Sequence, residues 1–241
     1  VAYSVDKTGY AFDPARAGLA VDCISKGIDA VHEMGVIHRD LTPNNVLCCG
    51  FGDSEIFKIT DFGLARPLGM NATFGGIVVG TVGYAPPEQA ALDDRRIGTW
   101  SDVFTFAVDL YFMLTGRGYF PTRNAMDSLA LIRSPERTSI LESAMLSPEL
   151  RSQPAACAGI DLALRLATST RPEDRPKTAS MFASMVLPWL KGVPRSRPAS
   201  ARLIESVAPV TAPTAPGESA WRWTVRHLPG ADRRELGVWL S

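Results

Sequence analysis

The stretch Val36-Ile37-His38-Arg39-Asp40-Leu41-Thr42-Pro43-Asn44-Asn45-Val46-Leu47, read with Ile59-Thr60-Asp61-Phe62-Gly63, decides the fold of this chain. Asp40, Asn45 and Asp61 stand among apolar, cationic and turn-forming neighbours. They are the three side chains here suited to act as a base and two oxygen-donor metal ligands. Short apolar runs, Val46 to Cys49 and Ile56 to Thr60, flank a polar turn holding Gly50, Gly52, Asp53 and Ser54. Run, turn and run predict a β-hairpin, and a hairpin brings Asn45 and Asp61 together. Either acid alone reads as an ordinary turn residue; the two motifs in this order and at this separation carry the argument.

These residues resemble the catalytic loop and the metal-binding loop of eukaryotic-type protein kinases, in a bacterial-looking serine/threonine version. The resemblance implies a mainly α fold, the kinase C-terminal lobe, with a small β-hairpin carrying both loops. It implies that Asp40 accepts the proton of the substrate hydroxyl, that Asn45 and Asp61 hold Mg²⁺, and that Asn45, Leu47 and Asp61 face ATP. Phosphoryl transfer needs positioning and charge neutralisation more than covalent help, which agrees with those residue types. Thr42 departs from the pattern, because serine/threonine kinases usually place there a lysine aimed at the transferred phosphate. Losing that cation removes some charge stabilisation; a threonine still donates a hydrogen bond, so the change is read as tuning.

The resemblance continues downstream. The segment from Asp61 to Gly80-Thr81-Val82-Gly83-Tyr84-Ala85-Pro86-Pro87-Glu88 resembles an activation segment, ending in Pro-Pro-Glu where the family has Ala-Pro-Glu. Thr81 stands where the family shapes the acceptor pocket against Asp40, which implies a protein Ser/Thr acceptor. Arg39 and Arg66 are expected to form a cationic pocket neutralised by a phosphate, and Thr73 is the candidate phosphorylated residue. His38 and Phe62 support the two loops. Ser101 to Leu114 is apolar on nearly every side, so the helix it forms must be buried. Asp102 inside it needs hydrogen bonds, which the resemblance supplies from the backbone N–H groups of His38 and Arg39. Asp109 returns to the same face, where the family is apolar, and no partner is evident. Arg175, in Arg171-Pro-Glu-Asp-Arg175-Pro176, is expected to pair with Glu88.

Helix signals frame the remaining chain. Asp13-Pro14 opens a helix that Gly35 closes, and Leu19, Cys23, Ile24, Gly27, Ile28 and Val31 recur at helical spacing between them. His32 near its end is read as packing. Leu129 to Ile132, Ile140 to Met145 and Ile160 to Ala167 predict further amphipathic helices. Residues 1–12 are uninformative.

With 241 residues, 46% hydrophobic and 21% charged, the chain can bury one sizeable core. Lys plus Arg and Asp plus Glu both number 25, so no global field argues for a nucleic-acid partner. Cys23, Cys48, Cys49 and Cys157 lack zinc spacing, and Cys48-Cys49 read as apolar fillers of a buried strand in a reducing, cytoplasmic setting. No apolar run reaches the ~18 residues of a membrane span.

The expected organisation is a kinase C-terminal lobe over 1–190, a Pro/Ala/Ser-rich linker over 191–220, and a truncated further module or disordered tail over 221–241. No glycine-rich loop or V-A-I-K-like strand precedes Asp13. The N-terminal lobe is therefore missing from the reading, the first residue being Val hints at a fragment, and the chain alone is expected to be inactive. The rival readings are a non-catalytic pseudokinase-like scaffold and, behind it, a small-molecule phosphotransferase.

Overall fold

The computed structural model describes residues 11–50, 54–61, 66–67, 83–91, 93–120 and 125–193. The chain divides into two compact units at Ser196, and all described residues belong to the first, Val1–Ser196.

Helix α1 (Pro14–Glu33) begins where Asp13 Oδ1 accepts the N–H groups of Ala15 and Arg16 at 2.9 and 3.0 Å. Pro14 takes the first position, where no N–H bond is needed. The helix stops at Met34 and Gly35, whose φ of +73° is left-handed. Start and stop match the sequence reading, but the buried stripe is shifted. Ile24, Ile28 and Val31 are buried as expected, Leu19 and Cys23 only half-buried, and Ala17, Ala20 and Val21 complete the face. Small residues there allow close approach: a methyl group on Gly18 would already touch Leu190 Cβ at 3.7 Å.

Strands β2 (Val46–Cys49) and β3 (Ile56–Ile59) pair antiparallel from Val46↔Ile59 to Cys49↔Ile56, the hairpin the sequence predicts. Its turn opens at Gly50, with φ of +81° and Ser54 O only 2.3 Å from where a Cβ would stand. A second pairing, β1 (Val36–Ile37) with β4 (Arg66–Pro67), sets Ile37 opposite Arg66. Two-residue strands carry no periodicity, so nothing in the sequence announced it.

The reading of Cys48 as a buried filler is corrected. Only Val46 of β2 is buried, Cys49 is half-buried, and Cys48 is exposed with its S–H donating to Glu55 Oε1 at 2.9 Å. Cys48 shares its face with buried Val46 and stands opposite buried Phe57, but α1 packs chiefly on β3, so this end of β2 stays open to solvent.

After α2 (Pro87–Ala90) comes α3 (Thr99–Thr115), whose residues from Ser101 to Thr115 are buried except half-buried Phe112, as its composition requires. Phe104 stacks on Phe120 and Phe106 meets Phe182 edge-on at 5.3 Å. Each such ring contributes about 1.5–3 kcal/mol by leaving water. Gly116, at φ +64°, ends the helix.

Helices α4 (Ala125–Arg133), α5 (Pro148–Arg151), α6 (Pro154–Ala167) and α7 (Ala179–Lys191) complete the described unit. The helix expected from Ile140 to Met145 is corrected to one 3-10 turn, Ile140–Glu142. Ser139 caps that turn, and Ser147-Pro148 starts a new helix, so serine side chains take the backbone bonds a longer helix would need. The sequence reading missed α7, which carries Pro188 in its last turn. Its N-terminus is capped by Thr178 and also by Asp29 of α1, which accepts the N–H groups of Ala179 and Ser180 at 2.9 and 3.0 Å.

Among the described residues helices dominate and the β2–β3 hairpin is two-stranded, as predicted; the β1–β4 pairing adds a second small sheet that was not. Among the described residues, no helix is long and apolar enough to cross a membrane. Of the expected linker, Lys191 ends α7 and Val193 is buried; residues 194–220 and the tail 221–241 lie outside the described residues.

Candidate active site

Asp40 and Asn45 touch directly. Asn45 Nδ2 donates to Asp40 Oδ2 at 3.2 Å and to the Asp40 backbone oxygen at 2.7 Å. A 3-10 turn, Pro43–Asn45, makes the contact possible by folding the loop back before β2 starts. With its amide nitrogen committed to Asp40, Asn45 keeps its side-chain oxygen as the end able to accept from a donor or bind a hard cation.

Asp61 is brought to the same end of the hairpin. The Asn45 backbone oxygen accepts Thr60 N–H at 2.9 Å and the Thr60 hydroxyl at 3.3 Å, so the residue before Asp61 is tied to Asn45. Asp61 is exposed and adopts φ +59°. A left-handed conformation costs a non-glycine residue about 1–2 kcal/mol, and such strain persists only where surrounding contacts enforce it. Two carboxylates and an amide suit magnesium, not zinc. Among the described residues, no group of three or more His, Cys, Asp and Glu side chains is placed to hold a metal ion.

His38 joins the two loops. Its Nε2 lies 3.1 Å from Thr60 O, a pure acceptor, so Nε2 carries the proton and Nδ1 accepts Asp40 N–H at 3.4 Å. Beneath them, Asp102 Oδ1 accepts Arg39 N–H at 2.9 Å and Oδ2 accepts His38 N–H at 2.8 Å. These are the partners the resemblance implied. Asp102 has a further one, His32 Nε2 at 2.7 Å, so His32 does more than pack.

Arg39 has φ +68° and is nearly buried. Arg66 sits opposite Ile37 in β4, two residues from Arg39 along the strand direction. Thr42 is buried at 3% exposure, whereas Leu47 remains 39% exposed on the outer face of the hairpin. Phe62, Thr73 and Thr81 lie outside the described residues.

Glu88 and Arg175 form a two-pronged pair, Nη1–Oε1 at 2.7 Å and Nη2–Oε2 at 2.9 Å, with both side chains 1% exposed or less. Ser101 Oγ donates to the same Glu88 Oε1 at 2.7 Å, which ties α2 to α3. Asp109 is fully buried and lies near Tyr84: burial first, and the Asp109 charge second, push the Tyr84 hydroxyl well above its ordinary pKa.

Three functional placements escaped the sequence reading: His32 on Asp102, Asp109 near Tyr84, and Gln89, whose Nε2 donates to Arg39 O at 2.8 Å. Each spans 25 or more positions. The signals were the two acids in the apolar α3, Asp102 and Asp109, which demanded partners without naming them, and the polar Gln89 beside Glu88.

The chain belongs to the protein kinase family: the model for the protein kinase domain matches residues 3–205. Its curated relatives are bacterial serine/threonine kinases. It is 32% identical over 195 residues to the probable serine/threonine-protein kinase PkwA of Thermomonospora curvata, covering 80% of this chain and 24% of that one. It is 30% identical over 238 residues to a serine/threonine-protein kinase of Myxococcus xanthus, covering 93% of this chain and 31% of the relative. A second Myxococcus xanthus kinase is 37% identical over 108 residues, 43% of this chain and 13% of that one. The chain thus spans less than a third of the length of each of these relatives.

Proposed function

We propose that residues 1–190 form the C-terminal lobe of a serine/threonine protein kinase that transfers the ATP γ-phosphate to protein hydroxyls. The observation that carries this is the bidentate grip of Asn45 Nδ2 on Asp40, with Thr60 bonded to the Asn45 carbonyl so that Asp61 stands at the same hairpin end. In this reading Asp40 accepts the hydroxyl proton, and Asn45 Oδ1 with an Asp61 oxygen holds Mg²⁺. When bound, that ion would neutralise charge on the phosphates. Exposed Leu47 offers the nucleotide an apolar floor. Tyr84, with Asp109 behind it, lines the protein acceptor's side. The relatives' names support serine or threonine as acceptor. The free thiols of the four cysteines support a reducing, cytoplasmic setting.

These 241 residues contain no glycine-rich loop and no lysine strand, so the chain by itself holds ATP on one side only. We accordingly expect it to be inactive alone. A pseudokinase-like scaffold is the second reading; the burial of Thr42 in place of a phosphate-facing lysine favours it.

The test extends the chain upstream along its coding sequence and supplies radiolabelled ATP, Mg²⁺ and a mixed protein substrate. The expected result is label on serine or threonine of protein, abolished by Asp40→Asn. Transfer that survives Asp40→Asn, or that reaches small molecules and never protein, overturns the reading.

A further inference from the structure

The peptide group between Arg39 and Asp40 is gripped at both of its polar ends. Its carbonyl, Arg39 O, accepts Gln89 Nε2–H at 2.8 Å; its amide, Asp40 N–H, points at His38 Nδ1 at 3.4 Å. One peptide plane back, Arg39 N–H is held by Asp102 Oδ1 at 2.9 Å. Arg39 itself stands at φ +68°, a conformation an arginine leaves unless contacts on both sides enforce it. The amide contact to His38 is long, so the carbonyl contact to Gln89 is the stronger restraint on this plane.

Gln89 is well placed to impose that restraint. It is 5% exposed, and its neighbour Glu88 is locked to Arg175 at 2.7 and 2.9 Å and to Ser101 at 2.7 Å. Helix α2 is only four residues long, so adjacent Glu88 and Gln89 move as one body. Glu88 fixes that body to α3 and to Arg175, while Gln89 reaches from it to the loop that bears Asp40. The same short helix continues directly from Tyr84-Ala85-Pro86, the end of the acceptor-side segment.

We infer that Gln89 is a positioning residue: by holding Arg39 O it sets the orientation of the Arg39–Asp40 peptide plane, and so the aim of the Asp40 carboxylate, and it couples that aim to the acceptor-side segment entering α2. Rotation of this plane turns Asp40 while leaving the preceding amide, Arg39 N–H, bonded to Asp102. An amide side chain is required, because the carbonyl needs a donor. A carboxylate at this position would repel it, and an alkyl group would leave it buried without a bond.

The structural part stands without the kinase reading; the catalytic part rests on the role proposed for Asp40. The test therefore has two arms, each using Gln89→Leu, with Gln89→Glu as the second variant. In the 241-residue chain, amide hydrogen exchange is measured at Asp40 and along α3. Both variants are expected to speed exchange at Asp40 by about tenfold or more while the α3 amides stay protected. Relative to the intrinsic exchange rate at each pH, lowering the pH is expected to restore protection at Asp40 in Gln89→Glu alone, as the side chain regains a proton to donate. In the chain extended upstream, Gln89→Leu is expected to lower kcat about 10- to 100-fold, with KM for ATP changed by less than about twofold. Asp40 exchange unchanged in a folded variant overturns the inference outright. Faster exchange with unaltered kcat overturns its catalytic half, and exchange that rises equally along α3 reduces Gln89 to general packing and overturns it too. If the extended parent transfers no phosphate at all, the kinase reading fails while the exchange arm still decides the role of Gln89.

Discussion

His32 and Asp102, 70 positions apart, meet at 2.7 Å between Nε2 and Oδ2, and this contact completes a carboxylate that already accepts the backbone N–H groups of His38 and Arg39. Asp102 is wholly buried, so its charge is tolerated only because all three donors converge on it.

Asp102→Asn replaces an acceptor oxygen by an N–H that faces other donors. We expect a loss of about 2–4 kcal/mol in urea unfolding, against about 1–2 for His32→Phe, which removes one donor and leaves the two backbone bonds. Equal losses for the two variants would show that the imidazole, and not the backbone pair, carries the burial of Asp102.

Arg175 and Glu88 are each stranded if the other is removed. Arg175→Ala and Glu88→Ala are each expected to cost about 3–5 kcal/mol, and the double variant much less than their sum. Additive losses in the double-mutant cycle would mean that the 2.7 and 2.9 Å contacts contribute no coupling.

The Arg16–Glu55 pair ties the first turn of α1 to the hairpin, with Arg16 Nη2 at 2.7 Å and its carbon 4.1 Å from the Phe12 ring. Burial acts to raise the Glu55 pKa, but the hydrogen bonds from Arg16 and Cys48 outweigh it and leave the carboxyl below its ordinary value. A depressed carboxyl contributes stability above its unfolded pKa, about 4.3, and that contribution disappears as pH falls through the lower folded value. At Arg16 burial acts to lower the pKa, but the bonds to Glu55 outweigh it and raise it, beyond the working range. The pair is partly solvated, so its worth is about 1 kcal/mol or less. Urea midpoints of the wild type and Glu55→Gln should differ at pH 7 and converge by about pH 3. A gap that is constant with pH refutes the linkage.

Cys48 is exposed and yet expected to be a slow nucleophile. Burial of the sulfur first, and its bond to Glu55 second, push the thiol up from 9.0. Only the thiolate attacks, so at pH 7.5 Cys48 should alkylate several-fold more slowly than a free cysteine. Glu55→Gln should speed it, as followed by mass spectrometry. Faster labelling of Cys48 in the wild type than in Glu55→Gln would reverse the assignment.

The two ends of α1 were legible because Asp13, Pro14 and Gly35 act on backbone groups within four residues of themselves. The hairpin was legible for the same reason, with Gly50 and Ser54 enforcing the turn locally. Asp102 could be assigned partners because an acid in an apolar helix must have them. The placement of Cys48 was misread because its exposure depends on which strand of the hairpin α1 covers, and the segment 140–145 was misread because serine caps compete with helix extension at equal hydrophobicity.

By itself, then, the sequence determined the short-range features: the first helix, the hairpin, the buried α3, and the order of the acids and amide that names the family. Only the tertiary structure decided which donors satisfy Asp102, that Gln89 holds Arg39, and which strand of the hairpin α1 covers. Turn and cap chemistry is spent within a few residues of where it is written. The pairing of a buried polar group is chosen among side chains 50 to 87 positions away, and only packing brings those within 3 Å.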